Sequence, residues 1–492
     1  MDLIVNQTFA PIIVGGGAAG WVLANRLSAA PARRVLLLEA GPPDRHPYIH
    51  MPRGVAKILS DPRHVWPFTA RSRAGDNAPG AIWVRGRTLG GSSSVNGMMY
   101  VRGQPADFAD LAAAAGNEWG WDEIGRIHGE IEDHPFGAAP TRGTGGALKV
   151  SFPRRHALMD ALIAAGGQAG LEPQDDINTP DDRAKIGYCP STIHRGRRQS
   201  AAVTFLDPVR SRKNLTIVTG VTVDRVLFDG LRAVGVEARR DGKSVRYAGQ
   251  RIILACGTLA SPALLQRSGI GPAELLARLG IPLIADRSEV GANLTEHCAL
   301  AMQWRLKRPL SLNPQFSGWR LLINGIRYFG WRGGALATAA YDVLGWLSTT
   351  DSSRPDVQLI GAPFSIDKSR ATLAMERQPG MQIAVYPLRP KSRGKVEVTS
   401  RDPDVLPEAT LDFFADPDDR AAMIAGVRAV RGIMAQGAIA PVVGAEIRPG
   451  PAAASDDEIL DACRAMATTA YHAAGTCRMG RDEQSVVDPL TR

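Results

Sequence analysis

Ile12-Ile13-Val14-Gly15-Gly16-Gly17-Ala18-Ala19-Gly20, continued by Trp21-Val22-Leu23-Ala24-Asn25-Arg26-Leu27 and then by Val35-Leu36-Leu37-Leu38-Glu39, is the stretch that decides the fold. A short apolar run, a glycine turn, an Ala/Leu-rich helix and a second apolar run make a βαβ unit, which implies a parallel sheet. Pro11 stands where a strand begins, a place that proline tolerates. Gly15, Gly17 and Gly20 have GxGxxG spacing, which supplies a tight turn, close backbone approach to a pyrophosphate and close packing of helix on strand. Ala18 and Ala19 open the helix, whose first N–H groups are free to meet phosphates. Glu39, followed by Ala40, ends the second strand nineteen residues past Gly20. A carboxylate there accepts hydrogen bonds from an adenosine ribose and disfavours a 2′-phosphate. The unit predicts dinucleotide binding and does not choose between NAD and FAD.

Further along, Gly86-Arg87-Thr88-Leu89-Gly90-Gly91-Ser92-Ser93-Ser94-Val95-Asn96-Gly97-Met98-Met99-Tyr100-Val101-Arg102-Gly103 reads as a long loop of small residues. Its backbone can approach a flat ligand closely and donate hydrogen bonds to it. Residues 215–256 have the texture of a β-meander, with hairpin turns expected at Asp229-Gly230 and Asp241-Gly242. The run Arg251-Ile252-Ile253-Leu254-Ala255-Cys256-Gly257 reads as a buried central strand entering a glycine turn. Ser261 and Pro262 are expected to be the N-cap and first residue of a helix that Gly269 stops. From 298 to 467 no nucleotide motif appears, and 382–388 and 394–399 read as strands, so a second, antiparallel-sheet domain is expected there.

The chain has 492 residues, enough for two intertwined domains or about three units. Hydrophobic content of 44% with 22% charged residues is ordinary for a globular protein and favours neither disorder nor a fibrous architecture. The formal charge of +9 is carried by arginines interleaved with acids, a pattern that argues against nucleic acid. Cys189, Cys256, Cys298, Cys463 and Cys477 form no CxxC pair, and the histidines lack metal spacing, so neither a disulfide framework nor a metal site is expected. No apolar run reaches the length of a spanning helix, and the first residues lack the features of a secretory signal. A cytoplasmic location is the corresponding expectation.

The 86–103 loop resembles the first signature of the glucose–methanol–choline (GMC) oxidoreductase family, and Gly257-Thr258-Leu259-Ala260-Ser261-Pro262 through Gly271 resembles the second. Further matches, in family order, are Val290-Gly291-Ala292-Asn293-Leu294 up to His297, the Ser392-Arg393-Gly394 loop, and Tyr471-His472-Ala473-Ala474-Gly475-Thr476-Cys477-Arg478-Met479-Gly480. The resemblance implies an α/β (α+β) fold with a discontinuous Rossmann-like FAD domain formed by 1–110, 195–297 and 468–492. An antiparallel substrate domain would span 298–467, with 111–194 a mixed region contributing to it. It also implies FAD wrapped by Arg87, Leu89, Gly90, Gly91, Ser92, Asn96, Gly97, Met98 and Gly257, with the Val223 backbone at the adenine. Val95 stands where some relatives carry the histidine that tethers FAD, so non-covalent FAD is implied.

In the family the histidine of the His-x-x-Gly-Thr segment takes the substrate hydroxyl proton as hydride moves to flavin N5, and the resemblance gives that role to His472. His297 is expected to make a structural hydrogen bond, and His134 is a weaker candidate near the substrate-domain boundary. The activity implied is oxidation of a small primary alcohol to an aldehyde, with oxygen or a quinone or other redox partner as electron acceptor. Choline, other primary alcohols and hydroxymethyl aromatics bracket the substrate, and Trp119-Gly120-Trp121-Asp122 leans towards the last. Relatives continue beyond a Val-Val-Asp segment with a strand, a turn and a helix carrying a second catalytic side chain, whereas this sequence stops at Arg492. Two readings follow, a fragment of a working enzyme or a catalytically impaired remnant. An NAD-dependent dehydrogenase accounts for the first βαβ unit but not for the second glycine-serine loop, and a flavin-dependent lyase of the same family remains a third alternative.

Overall fold

Ile12, Ile13 and Val14 are all buried, as are Val35 through Leu38, because the strands they form are covered on both faces. Strands β1 (Ile12–Val14) and β2 (Val35–Glu39) run parallel, with Ile13 opposite Leu37, and helix α1 (Ala18–Leu27) crosses between them. Strands β3 (Leu215–Thr219) and β4 (Ile252–Leu254) complete the parallel sheet in the order β3-β2-β1-β4. The computed structural model describes residues 3–72, 80–139, 141–350, 354–367 and 374–492.

Alternation along the strands divides the core into two layers. Ile12, Val14, Leu36 and Leu38 pack against Val221, Val236, Val245 and Tyr247. Ile13, Val35 and Leu37 pack the other way, against Trp21 and Ala24 of α1 and against Leu89, Ala202 and Leu206. The first of these layers is the expected meander, which begins later than residue 215 because Leu215–Thr219 joins the parallel sheet; its strands Val221–Asp229, Arg232–Arg240 and Lys243–Gly249 are extended by a parallel strand at Leu3–Phe9. Asp241 and Gly242 form its second turn at φ of 51° and 73°, the left-handed pair a tight hairpin needs. In the first turn Asp229 itself pairs with Arg232, so the turn residues are Gly230 and Leu231, one position later than expected.

A second, eight-stranded sheet is centred on Cys298–Leu306, Gly380–Pro387, Val357–Ala362 and Val343–Leu347, all antiparallel to their neighbours. Two of its strands, Lys185–Tyr188 and Glu172–Gln174, come from far upstream in the chain. Helices Ala157–Gln168, Pro417–Met434 and Asp456–Met466 bury one face through Leu162, Val427, Val430 and Ile459. Leu344, Trp346, Ile360, Ala384 and Tyr386 form a separate cluster.

The helix expected to begin at Pro262 begins five residues earlier, since α2 spans Gly257–Arg267 and contains Pro262. Proline has no N–H, so the Thr258 carbonyl one turn back loses its helical donor. Thr476 replaces it, donating its hydroxyl to the Thr258 carbonyl at 2.6 Å, while the Thr258 hydroxyl donates to the Ala473 carbonyl at 2.8 Å. The N-terminal turn of α2 is thereby clasped to the chain that follows His472. Gly269, at φ 87°, stops the helix as expected. Thr476→Val keeps the shape of this side chain but orphans the carbonyl, and is expected to cost about 1–3 kcal/mol. A denaturation midpoint equal to that of the parent protein would contradict the clasp.

Candidate active site

Two helix N-termini without caps meet at the C-terminal edge of the parallel sheet. Gly17 caps α1 with no side-chain hydrogen bond and no acid in the first turn, and the same holds for α2 behind Cys256. Ala18 and Ala19 are exposed, so the first amides of α1 face an open surface. A Cβ on Gly20 would lie 2.0 Å from the Gly15 carbonyl oxygen, and one on Gly91 would lie 2.7 Å from Gly17 Cα. The 86–98 loop thus lies in backbone contact with the glycine turn, and the Gly90 N–H donates to the Gly16 carbonyl at 2.8 Å.

Glu39 is buried at the end of β2, where its two carboxylate oxygens accept from the Gly16 and Gly41 N–H groups, each at 2.8 Å. Burial pushes its carboxyl up to about 7, against the pull of those two N–H groups and of Arg87. Ala40 follows it directly, and a Cβ on Gly41 would lie 2.0 Å from the Arg87 carbonyl. The Arg87 guanidinium stacks 4.3 Å over the Trp66 ring, and its Nε has no partner among the described residues. Leu89 is buried against α1 and Ser92 accepts from the Gly86 N–H. Asn96 Oδ1 accepts from the Met98 N–H at 3.1 Å and from Arg198 at 2.6 Å, which holds Met98 at φ 63° behind Gly97. Val223 lies buried in the meander where its register shifts, and a Cβ on Gly257 would meet only open space. These features fit a dinucleotide: uncapped amides for a pyrophosphate, side-chain-free approach, and a buried carboxylate at the ribose position.

The second half of the site is a histidine pair. His297 Nε2 lies 2.8 Å from the Leu388 carbonyl, and its Nδ1 lies 3.0 Å from Nδ1 of His472. A carbonyl only accepts, so His297 carries its proton on Nε2 and offers a lone pair at Nδ1. His472 then donates from Nδ1, which leaves its Nε2 unprotonated. The rings meet at right angles 5.1 Å apart, and the Tyr386 ring stacks on His297. Desolvation, then His297 and Arg85, bring the His472 imidazole down to about 4, although the residue as a whole is exposed.

Glu296 holds the pair from below. It is buried and accepts from the His472 N–H at 2.7 Å, the His297 N–H at 2.8 Å and the Thr469 hydroxyl at 2.9 Å, with Arg85 at 3.5 Å. The roles of Glu296, Leu388, Thr258 and Thr476 were not anticipated, although Glu296, Thr258 and Thr476 sit inside the motifs that carry the family resemblance. The His297 hydrogen bond is made with the His472 ring itself, closer to chemistry than expected. His134 packs edge-on to Phe136 and Phe152 beside Asp176, in a cluster separate from this pair. No cluster of metal-ligating side chains occurs among the described residues.

GMC oxidoreductase family models match residues 9–299 and 390–492. The chain is 36% identical to alcohol dehydrogenase [acceptor] of Pseudomonas putida over 97% of its length and 87% of that protein. It is 37% identical to mitochondrial choline dehydrogenase of Homo sapiens over 99% of its length and 84% of that protein. Among solved structures it superposes on pyridoxine 4-oxidase from Mesorbium loti with a TM-score of 0.87 at 30% identity, over 98% of this chain and 91% of that one.

The histidine chain has a spectroscopic consequence. In protein labelled with ¹⁵N-histidine, His472 is expected to carry its proton on Nδ1 and to stay neutral until the pH falls well below the usual value near 6.5. Because the folded value is the lower one, the stability that neutral His472 contributes is complete above about 6.5 and is lost as pH falls towards about 4. An Nε2–H tautomer, or titration near 6.5, would contradict the hydrogen-bond chain.

Proposed function

We propose, on the premise that this chain belongs to the GMC oxidoreductase family, that His472 takes the hydroxyl proton of a primary alcohol as hydride leaves the carbinol carbon. The protein is an FAD-dependent alcohol oxidoreductase. Bound FAD supplies the hydride acceptor, flavin N5. The alcohol gives up one proton and one hydride and becomes an aldehyde.

The observation that carries this reading is the 3.0 Å contact between Nδ1 of His297 and Nδ1 of His472, which leaves Nε2 of neutral His472 unprotonated. The Leu388 carbonyl and the His297 ring fix which nitrogen bears the proton, and the nitrogen left free is the one not engaged by His297. A base needs that lone pair within hydrogen-bond reach of the hydroxyl. His297 and Glu296 are then positioning residues that hold the ring of His472 and the backbone behind it. The buried Tyr386 ring, edge-on to His472 at 5.9 Å, packs the base from behind.

For the cofactor, the amides of Gly17, Ala18, Ala19 and Gly20 would hold the pyrophosphate beside Gly15, and Glu39 with Ala40 the adenosine ribose. The backbone at Val223 would meet the adenine. Arg87, Leu89, Gly90, Gly91, Ser92, Asn96, Gly97 and Met98 would wrap the remainder together with Gly257. Val95 is buried beside Ile49 and Val65 and offers no nucleophile, so retention rests on these non-covalent contacts. The electron acceptor is oxygen or a quinone-type redox partner, and comparing turnover with each separates them.

At a pH above about 7, where its carboxyl is ionised, Glu39→Ala removes a charged hydrogen-bond acceptor and is expected to weaken FAD retention by about 1.5–3 kcal/mol. Equal flavin affinity in the variant would overturn the ribose assignment. His472→Ala is expected to slow anaerobic bleaching of the flavin by alcohol by about 10²–10⁴ while leaving the flavin bound. Bleaching at the parent rate would remove His472 from the chemistry.

A further inference from the structure

Helix α3 (Gly318–Trp331) has its polarity turned inside out. Its buried positions are Asn324 and Tyr328, one turn apart. Asn324 donates to the Gln315 and Arg320 carbonyls, each at 3.0 Å, and accepts from the Ala335 N–H, and the Tyr328 hydroxyl donates to the His50 carbonyl at 3.2 Å. The opposite stripe, at spacings of three and four, is Trp319, Leu322, Ile326 and Phe329, exposed to 67%, 67%, 59% and 68%. Trp331 closes the helix, exposed to 68%. A soluble helix places its apolar stripe inward, and a contiguous exposed stripe of this kind marks a surface that something else covers.

The surrounding charge says what covers it. From His297 through Tyr341 the sequence contains no Asp or Glu, yet it carries Arg305, Lys307, Arg308, Arg320, Arg327 and Arg332. Arg320 and Arg327 share one flank of the apolar stripe and Arg332 follows its end, and none of the three has a carboxylate partner among the described residues. Tryptophans at both ends, aliphatic and phenyl groups between them, and arginines along the flank compose a helix that lies in a membrane interface. Antiparallel pairing with a second copy would set the arginine flank against itself. No helix among the described residues is long and apolar enough to span a bilayer, so α3 would lie flat.

We propose that α3 docks this protein onto the surface of an anionic phospholipid bilayer, with Trp319, Leu322, Ile326 and Phe329 at the headgroup–acyl boundary and the arginines on the phosphates. The chain that follows the docked helix reaches the cofactor loop. A Cβ on Gly196 would meet the Arg332 carbonyl at 1.9 Å, and the Ala340 N–H donates to the Gly97 carbonyl at 3.2 Å. The docking itself does not depend on the assignment of the reaction.

The test is co-sedimentation of the full flavin-loaded chain with vesicles of phosphatidylcholine alone and of phosphatidylcholine with phosphatidylglycerol. The expected result is pelleting with the anionic vesicles, weakened by salt, and at least roughly ten-fold weaker binding to the neutral ones. Ile326→Glu with Phe329→Glu is expected to abolish pelleting while flavin absorbance and turnover of a water-soluble alcohol with a soluble acceptor persist. Arg320→Gln with Arg327→Gln is expected to weaken anionic binding roughly twenty-five-fold, from roughly five-fold per cation near the surface. Parent protein that stays in the supernatant with both vesicles overturns the proposal. So does a parent dimer that Ile326→Glu splits without any vesicle binding, since a second copy would then be what covers the face.

Discussion

Backbone touching backbone is the constraint on which the rest of this molecule depends. The β1 strand ends, α1 begins and the 86–98 loop folds over both within a space too small for a methyl group. Added Cβ atoms at Gly20, Gly41 and Gly91 would lie 2.0, 2.0 and 2.7 Å from main-chain atoms of Gly15, Arg87 and Gly17. Contacts this close bring amides rather than side chains to the surface of the cradle, and they leave Glu39 buried with only N–H groups for partners. The cradle is therefore built from a geometry that other residues cannot enter, and its polarity comes from the main chain.

Glu296 has the same part on the opposite side. One buried carboxylate accepts from the His297 and His472 backbone amides, a threonine hydroxyl and an arginine, and thereby ties the ends of the paired strands Cys298–Leu306 and Thr468–Thr469 to the start of the His472 loop. Its burial is costly, and several donors at hydrogen-bond distance offset that cost. The Thr258–Thr476 clasp then joins this assembly to α2, so the histidine loop is fixed from the sheet behind it and from the helix beside it.

The βαβ unit, the meander and the glycine loop were legible because each is local. Turn residues and the apolar alternation of a strand depend on neighbours in sequence, and they were misjudged by one residue at Gly230 and Leu231. Ser261-Pro262 misled for a different reason: the pair is a good helix start, but a hydroxyl from residue 476 meets the carbonyl that the proline leaves bare. Nothing within several residues of Pro262 announces that partner. Likewise a buried Glu296 and an acceptor at Leu388 are properties of strand pairing, and only the family resemblance, not a local pattern, pointed to 111–194, the region of Glu172–Gln174 and Lys185–Tyr188, as contributing to the second sheet. The outward apolar stripe of α3 was invisible because periodicity gives a stripe but not the side it faces.

Strand register is what finally sets the proton. Cys298–Leu306 and Gly380–Pro387 pair with Leu300 opposite Val385, and the same register carried three residues further puts His297 opposite Leu388. On its other side Cys298 pairs with Thr469, which continues to His297 opposite Ala470, whose N–H donates to the His297 carbonyl at 2.9 Å. His297 therefore sits at the point where three strands run out, with its ring aimed at the carbonyl of one and at the side chain that follows another. A slip of one residue in either pairing would turn its ring to the opposite face and remove the carbonyl that fixes its tautomer. That register is held by the Leu300, Met302, Ile383 and Val385 side chains in the core of the second sheet. The protonation of His472, beside the nucleotide cradle, is thus decided by apolar packing in the other half of the protein.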